Sequence, residues 1–325
     1  MRKFETGRFL RALAGGLLLA ASTHVAAQSY PSKPIKIVMP YAPGGEMDRI
    51  ARIFAEKFKE KLGQTTIVEN RGGAGGNIGA EMTFKAPPDG HTLMFGATAQ
   101  VVTNKLLYQK LNYDPDTFTP ISLVSWSSMV LVAHPKAGFD TTAQLIASAK
   151  ANPSMISYVT GGIGTSTHLS TELFVNAAGI KLLHVPYKSS SVALPDVISG
   201  QVNMGFFSPS LVIPHIREGR LKVIAVGSER RNILFPNVPA LSETVPGIVA
   251  ATWYAMVAPP GTPPAIVNRL AVTIKEILAM PDVSKQFADL NIEVIGSTPA
   301  EMAIFVQQER GRWTNVIRST GMKAE

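Results

Sequence analysis

Twice along this chain, a run of strand character ends in a glycine-rich loop that opens directly into a segment of helical period. In the first block, Ile35-Lys36-Ile37-Val38-Met39 leads into Pro40-Tyr41-Ala42-Pro43-Gly44-Gly45. Ile50, Ile53, Phe54, Phe58 and Leu62 then share one helical face over 48–62, and Gly63 stands at the expected stop. In the second, Ile156-Ser157-Tyr158-Val159 leads into Thr160-Gly161-Gly162-Ile163-Gly164-Thr165-Ser166. A helix is predicted over 167–178, with Leu169, Leu173 and Phe174 inward and Gly179 as its cap. Short apolar strands alternating with amphipathic helices must bury both sheet faces, which demands an α/β architecture.

Further strands are predicted at 65–69, 92–95, 202–206 and 221–226. Helices are predicted near 78–85, from Ser208-Pro209 to Gly219, and over 265–280 and 299–320. Two apolar stretches, 121–133 and 250–258, read as crossings between two halves of the molecule.

The N-terminus bounds the compartment. Arg2, Lys3, Arg8 and Arg11, with Glu5 as the one acid, precede the apolar run 12–21, and Val25-Ala26-Ala27 closes it with small residues. That run is shorter than the roughly 20 residues a spanning helix needs and has the form of a secretory signal, with cleavage expected after Ala27. Removing 1–27 leaves 298 residues, enough for two lobes. The formal charge of +8 falls to about +5 once four basic residues and one acid are lost. The remaining basic residues are scattered, without a block or aromatic interleaving, so nucleic acid is not an expected partner. A mild positive field suits small anions. The sequence has no cysteine, so in an oxidising compartment stability rests on hydrophobic burial. No helix face is unusually apolar, and a monomer is expected.

Function is expected at the two loops. Glycines allow tight turns and close backbone approach, and a helix start offers unpaired N–H groups and partial positive charge. Such ends bind carboxylate or phosphate, and in open α/β sheets they lie at the carboxyl ends of strands. Two of them facing one cleft would clamp an anion without a metal or cofactor. From the pattern alone, capped tight turns explain both loops equally well.

Enzymatic readings are weaker. No two histidines have the spacing of a helical zinc pair, and Gly164-Thr165-Ser166-Thr167-His168 lacks the final glycine of a nucleophile elbow. A capping hydroxyl and a first-turn histidine account for Ser166 and His168 better than a nucleophile and its base. Tyr187-Lys188 is open between a ligand contact and a solvated turn.

Several short motifs occur in a specific order: Pro34-Ile35-Lys36-Ile37-Val38, Pro43-Gly44-Gly45 with Asp48 and Ala51-Arg52, Val68-Glu69-Asn70-Arg71, and Gly73-Ala74-Gly75-Gly76-Asn77-Ile78-Gly79. Pro88-Asp89-Gly90-His91-Thr92-Leu93, Tyr113-Asp114-Pro115, His168-Leu169, His184-Val185-Pro186-Tyr187-Lys188, Gly200-Gln201-Val202 and Pro236-Asn237-Val238-Pro239 follow. The ordered set resembles the Bug-type (TctC-like) periplasmic solute receptors of tripartite tricarboxylate transporters, from about Pro31 to the C-terminus.

That resemblance implies a two-lobed Venus-flytrap fold of type II with two crossing strands as hinge. Its segments would be a signal peptide over 1–27, lobe one over 28–128 plus 253–325, and lobe two over 129–252. It implies capture of a small carboxylate, dicarboxylate or aromatic, for delivery to membrane permease subunits. The alternatives are a ligand sensor for a membrane signalling receptor and a periplasmic hydrolase acting through Ser166 or His168. Carried over by motif, the ligand contacts would be Tyr41, Ala42, Gly44 and Gly45 on the first loop, and Ala97 and Thr98 after the third strand. Gly161, Gly164, Thr165, Ser166 and His168 would follow on the second loop, with Tyr187, Phe207 and Ser208 beyond. Phe207-Ser208 stands where the family often has Asp-Asn, and Ser189-Ser190 replaces the usual glycine. Phe207 cannot receive an amino group, so a ligand without a required ammonium is expected.

Overall fold

The computed structural model describes residues 30–323; the expected leader over 1–27 lies outside them. The chain folds as two mixed sheets, each flanked by helices. The first sheet is ordered β11-β4-β10-β3-β1-β2. Its strands are β1 (Ile35–Met39), β2 (Thr66–Asn70), β3 (Thr92–Ala97), β4 (Thr119–Ser128), β10 (Ala251–Ala258) and β11 (Glu293–Val294). The second is ordered β7-β6-β8-β5-β9. Its strands are β5 (Val130–Ala133), β6 (Ser157–Thr160), β7 (Leu183–Pro186), β8 (Met204–Phe207) and β9 (Lys222–Val226).

Helices α1 (Glu46–Leu62), α2 (Asn77–Phe84) and α3 (Asn104–Leu107) belong with the early strands. Then come α4 (Thr142–Ala151), α5 (Ser166–Ala178), α6 (Ser190–Ile198), α7 (Pro209–Arg217) and α8 (Leu241–Thr244). The chain closes with α9 (Pro264–Leu278), α10 (Pro281–Asp289) and α11 (Pro299–Thr320). The sequence expectations omitted α3, α4, α6, α8, α10, β7 and β11, whose apolar patterns are short. Among the described residues no helix is long and apolar enough to cross a membrane.

Each sheet is covered on both faces, so its central strands are continuously apolar rather than alternating. In the first sheet, Ile35, Ile37, Met39, Leu93 and Phe95 pack against Ile50, Phe54 and Phe58 of α1 and Leu270, Ile274 and Ile277 of α9. The opposite face carries Met94, Leu123, Trp253 and Val257 under Met302 and Trp313 of α11. In the second sheet, Leu131, Tyr158 and Phe206 face Leu145 and Phe174, and Val130, Val132, Val159 and Phe207 face Leu194, Val197 and Val212.

The expected crossing over 121–133 is two strands that meet at Met129. β4 pairs antiparallel with β10 from Thr119↔Ala258 to Ser128↔Ala251, and β5 then enters the second sheet between β8 and β9. Three backbone hydrogen bonds knit the crossing. The Met129 N–H donates to the Ala250 carbonyl at 2.9 Å, that of Gly227 to Met129 at 2.7 Å, and that of Ala250 to Gly227 at 2.8 Å. Gly227 has no room for a side chain: a Cβ there would stand 2.3 Å from the Ala250 oxygen and 2.8 Å from the Met129 oxygen. Backbone atoms cannot yield as a flexible side chain can, and overpacking of this kind costs about 1–3 kcal/mol. Gly227→Ala is therefore expected to lower the melting temperature measurably in calorimetry. A variant that melts with the wild type would contradict the tight crossing.

Candidate functional site

The parallel strands of both sheets direct their carboxyl ends at one cavity of about 100 Å³. Met39 ends β1 and Ala97 ends β3 on one side; Gly161 follows β6 and Ser208 follows β8 on the other. Thr252 and Tyr254 of β10 and Met129 at the crossing complete the wall between them. This is the position at which open α/β sheets bind ligands.

On the second-sheet side, three helices start at the cavity. Thr165, Ser166 and Thr167 line it at the start of α5, Ser189, Ser190 and Ser191 at α6, and Ser208 and Leu211 at α7. None of these helices carries an acidic residue in its first turn. The first N–H groups of a helix have no partner within it and carry its positive end, so this wall presents unneutralised positive potential. The loops are fixed from within. The Thr165 hydroxyl donates to the Gly162 carbonyl, and the Gly161 N–H donates to the Thr167 hydroxyl at 3.0 Å. The Gly164 N–H donates to His168 Nδ1 at 3.2 Å. Gly164 (φ +80°) has no space for a Cβ, which would lie 2.8 Å from Asn104 Oδ1.

The first-sheet side has the opposite character. α1 begins two residues earlier than its apolar period indicates, so its first turn contains both Glu46 and Asp48. Asp48 is buried; its Oδ2 accepts from the Gly44 N–H at 3.1 Å and from Arg52 Nε at 3.0 Å, and its Oδ1 from Asn70 Nδ2 at 2.9 Å. Burial opposes its charge, but the hydrogen bonds from Arg52, Asn70 and Gly44 outweigh it and hold the carboxyl below its ordinary pKa. Asn70 also donates to the Tyr41 carbonyl, and Gln100 donates to the Tyr41 hydroxyl at 2.9 Å, which fixes the first loop. Glu46 is only 4% exposed and lines the cavity. Its Oε1 accepts from the Tyr254 hydroxyl at 2.9 Å and its Oε2 from the Ser210 hydroxyl at 2.8 Å. Burial pushes its pKa up, against hydrogen bonds from Ser210, Ser127, Tyr254 and Ser208 that pull it down.

The structure brings Tyr41, Ala42, Gly45, Ala97, Gly161, Thr165, Ser166 and Ser208 to the cavity wall. The cavity lining does not include the other expected contacts, Gly164 among them. Gly44 (φ +91°) gives its N–H to Asp48. The Thr98 hydroxyl faces that of Ser166 at 3.4 Å. His168 stacks on His184, with ring centroids 4.5 Å apart, and His184 stacks on Tyr158. Tyr187 donates to Asp196. Phe207 is fully buried in the second core beside Val130 and Val159, because alternation along β8 turns it away from the cavity. The inference drawn from Phe207 about the ligand therefore has no footing in the site. The two loops differ in charge, since the first loop's helix start carries two carboxylates of the protein itself.

Sequence reasoning passed over Glu46, Thr167, Ser191, Thr252 and Tyr254. Two signals were present: an acid directly after a glycine pair at a helix start, and Thr252 and Tyr254 two residues apart on one strand face. The two sides touch around the cavity. The Ser166 and Thr252 hydroxyls are 2.8 Å apart, the Thr103 hydroxyl donates to the Gly164 carbonyl at 3.0 Å, and Ser191 reaches the Pro43 carbonyl.

Residues 50–322 match the model of the tripartite tricarboxylate transporter family receptor. A protein encoded in the tcbD-tcbE intergenic region of Pseudomonas sp. strain P51 is 37% identical over 313 residues, covering 94% of this chain and 93% of that one. The periplasmic binding protein BugD superposes with a TM-score of 0.86 at 32% identity, over 91% of this chain and all of BugD. Rpa4515 of R. palustris, solved with adipate, superposes with a TM-score of 0.86 at 31% identity, over 90% of this chain and 99% of that one.

The histidine stack makes stability depend on pH. Burial lowers the His168 pKa from 6.5 to about 4. Between these values the unfolded chain binds a proton that the folded ring refuses. Stability is then full above pH 6.5, falls toward pH 4 by up to about 1.4 kcal/mol per unit, and levels off below. Denaturant unfolding at pH 7.5 and 5 is expected to show the loss, with a shallower decline in His168→Asn. Equal slopes in the two proteins would exclude this source.

Proposed function

The chain belongs to the tripartite tricarboxylate transporter receptor family, and on that premise we propose that it captures a small carboxylate between two lobes for delivery to the membrane permease of such a transporter. Members of this family are periplasmic solute-binding proteins rather than enzymes, and BugD and the adipate-bound Rpa4515 share this fold. The observation that carries the ligand class is the convergence of the α5, α6 and α7 starts on one cavity with no acid in any first turn.

The magnitudes are adequate. A helix end in a partly buried geometry contributes up to ~2 kcal/mol to an anion, and a hydrogen bond to a charged group roughly 1.5–3 kcal/mol. Micromolar affinity requires about 8 kcal/mol net. Helix N–H groups supplemented by the hydroxyls of Thr165, Ser166, Ser190 and Ser208 reach that range without a metal. The polar groups of the lining are hydroxyls, backbone and the Glu46 carboxyl, set among Met39, Met47, Met129 and Leu211, so the pocket would grip an anion by directed hydrogen bonds rather than by a fixed positive charge.

The moving units would be 28–128 with 253–325, and 129–252, turning about the crossing at Met129, Gly227 and Ala250. Hinge closure around a ligand is the usual motion of such receptors, and the Thr103–Gly164 and Ser191–Pro43 contacts are ones that closure would make and opening break. Residues 1–27, with a basic start, apolar core and small-residue end, would export the chain to the periplasm.

Titration calorimetry against dicarboxylates, aromatic carboxylates and amino acids tests the ligand class. At least one carboxylate is expected to bind at micromolar strength or tighter, and to compact the protein in solution scattering. Ser190→Asp would set a negative charge at the α6 start, and it is expected to weaken that ligand at least about tenfold, or 1.4 kcal/mol. A panel in which no carboxylate binds would overturn the proposal.

A further inference from the structure

We propose that Glu46 makes this receptor selective for a carboxylate that also carries an N–H donor, an amino or amide acid, over a dicarboxylate of equal length. The proposal rests on carboxylate capture at the same cavity and specifies what the far end of the ligand must offer.

The two walls differ in sign. The second-sheet wall holds three helix starts with no acid in their first turns. The first-sheet wall holds Glu46 and, just behind it, Asp48 at the start of α1. Asp48 is satisfied by Arg52, Asn70 and Gly44. Glu46 has no cation: no lysine, arginine or histidine lines the cavity among the described residues, and its partners are the hydroxyls of Tyr254 and Ser210. The Tyr254 and Ser210 hydroxyls each hold one carboxyl oxygen and fix its orientation, and the hydroxyls of Ser127 and Ser208 also stand by it, so its surroundings are hydroxyls and no cation.

A carboxylate buried without a cation is costly, and burial accordingly raises its pKa. A ligand ammonium or amide N–H lying against it would offset that cost. A second ligand carboxylate in the same place would meet a like charge, or would require Glu46 to take up a proton first. A ligand negative at one end and hydrogen-bond-donating at the other matches both walls at once.

The test is the ratio of affinities for matched ligands in calorimetry. Each dicarboxylate is compared with the amino acid and the amide acid of the same chain length, on wild type and on Glu46→Gln. In the wild type the better N–H-bearing ligand is expected to bind at least about tenfold tighter than its dicarboxylate, the strength of one charge-assisted hydrogen bond. Glu46→Gln is expected to bring that ratio to one or below. An ammonium ligand falling further than an amide would identify the charge, rather than the N–H alone, as what Glu46 reads. Ser210→Ala frees the carboxyl to turn and removes one contact between the two units for every ligand alike, so it is expected to lower the ratio by a smaller factor, and it serves if Glu46→Gln does not fold. A wild type that prefers dicarboxylates, or a ratio unchanged in both variants, would overturn the proposal while leaving carboxylate capture standing. If no member of either class binds, carboxylate capture itself fails and this inference with it.

Discussion

The antiparallel pairing of β4 with β10, continued through Met129 and Ala250, is the constraint on which the remainder of the structure depends. Among the described residues it is the one ladder whose two strands lead directly from one sheet toward the other. β4 runs on into β5 after a single residue, and β10 begins directly after Ala250. The three backbone hydrogen bonds among Met129, Gly227 and Ala250 fix where the sheets meet. Because the parallel strands on both sides end toward that junction, five loops reach one cavity from opposite directions. Backbone hydrogen bonds are short and directional, yet a few residues at such a crossing can absorb the dihedral change of a hinge. Gly227 marks the narrowest point, where even a methyl group would strike two carbonyl oxygens.

The chemistry of the cavity follows from which helices start there. A helix start is positive in itself, but its own first-turn acids decide how much of that potential a ligand meets. α5, α6 and α7 bring serine and threonine to their starts and leave the potential available. α1 brings Glu46 and Asp48 and cancels it. Asp48 serves the loop, since it ties Gly44, Arg52 and Asn70 together beneath Tyr41. Glu46 faces inward and serves the cavity. The same glycine-rich loop before a helix therefore produces opposite polarity on the two sides.

Much of this was legible in the residues. The strand periods of 35–39 and 156–159, the glycine stops at 63 and 179, and the two loops between them describe elements that the structure contains nearly to the residue. Local pattern suffices there because helix and strand each impose a repeat on neighbouring side chains. The pattern was less informative where an element is short or where a side chain can turn either way. β7 has only four residues. Phe207 and Ser208 are adjacent, and one lies in the core while the other lines the cavity. His168 lies on a helix that starts at the site, and its ring packs on His184.

By itself the sequence determined the α/β class, the two loops and the absence of disulfides, because these follow from local period, glycine placement and composition. Only the tertiary structure decided which first-turn residues share the cavity. Glu46, Ser210 and Tyr254 are far apart in the chain and meet through the crossing of two sheets, and no local repeat records such a meeting. The sign of each wall is a sum over residues brought together by packing, so it becomes defined only when the lobes stand face to face.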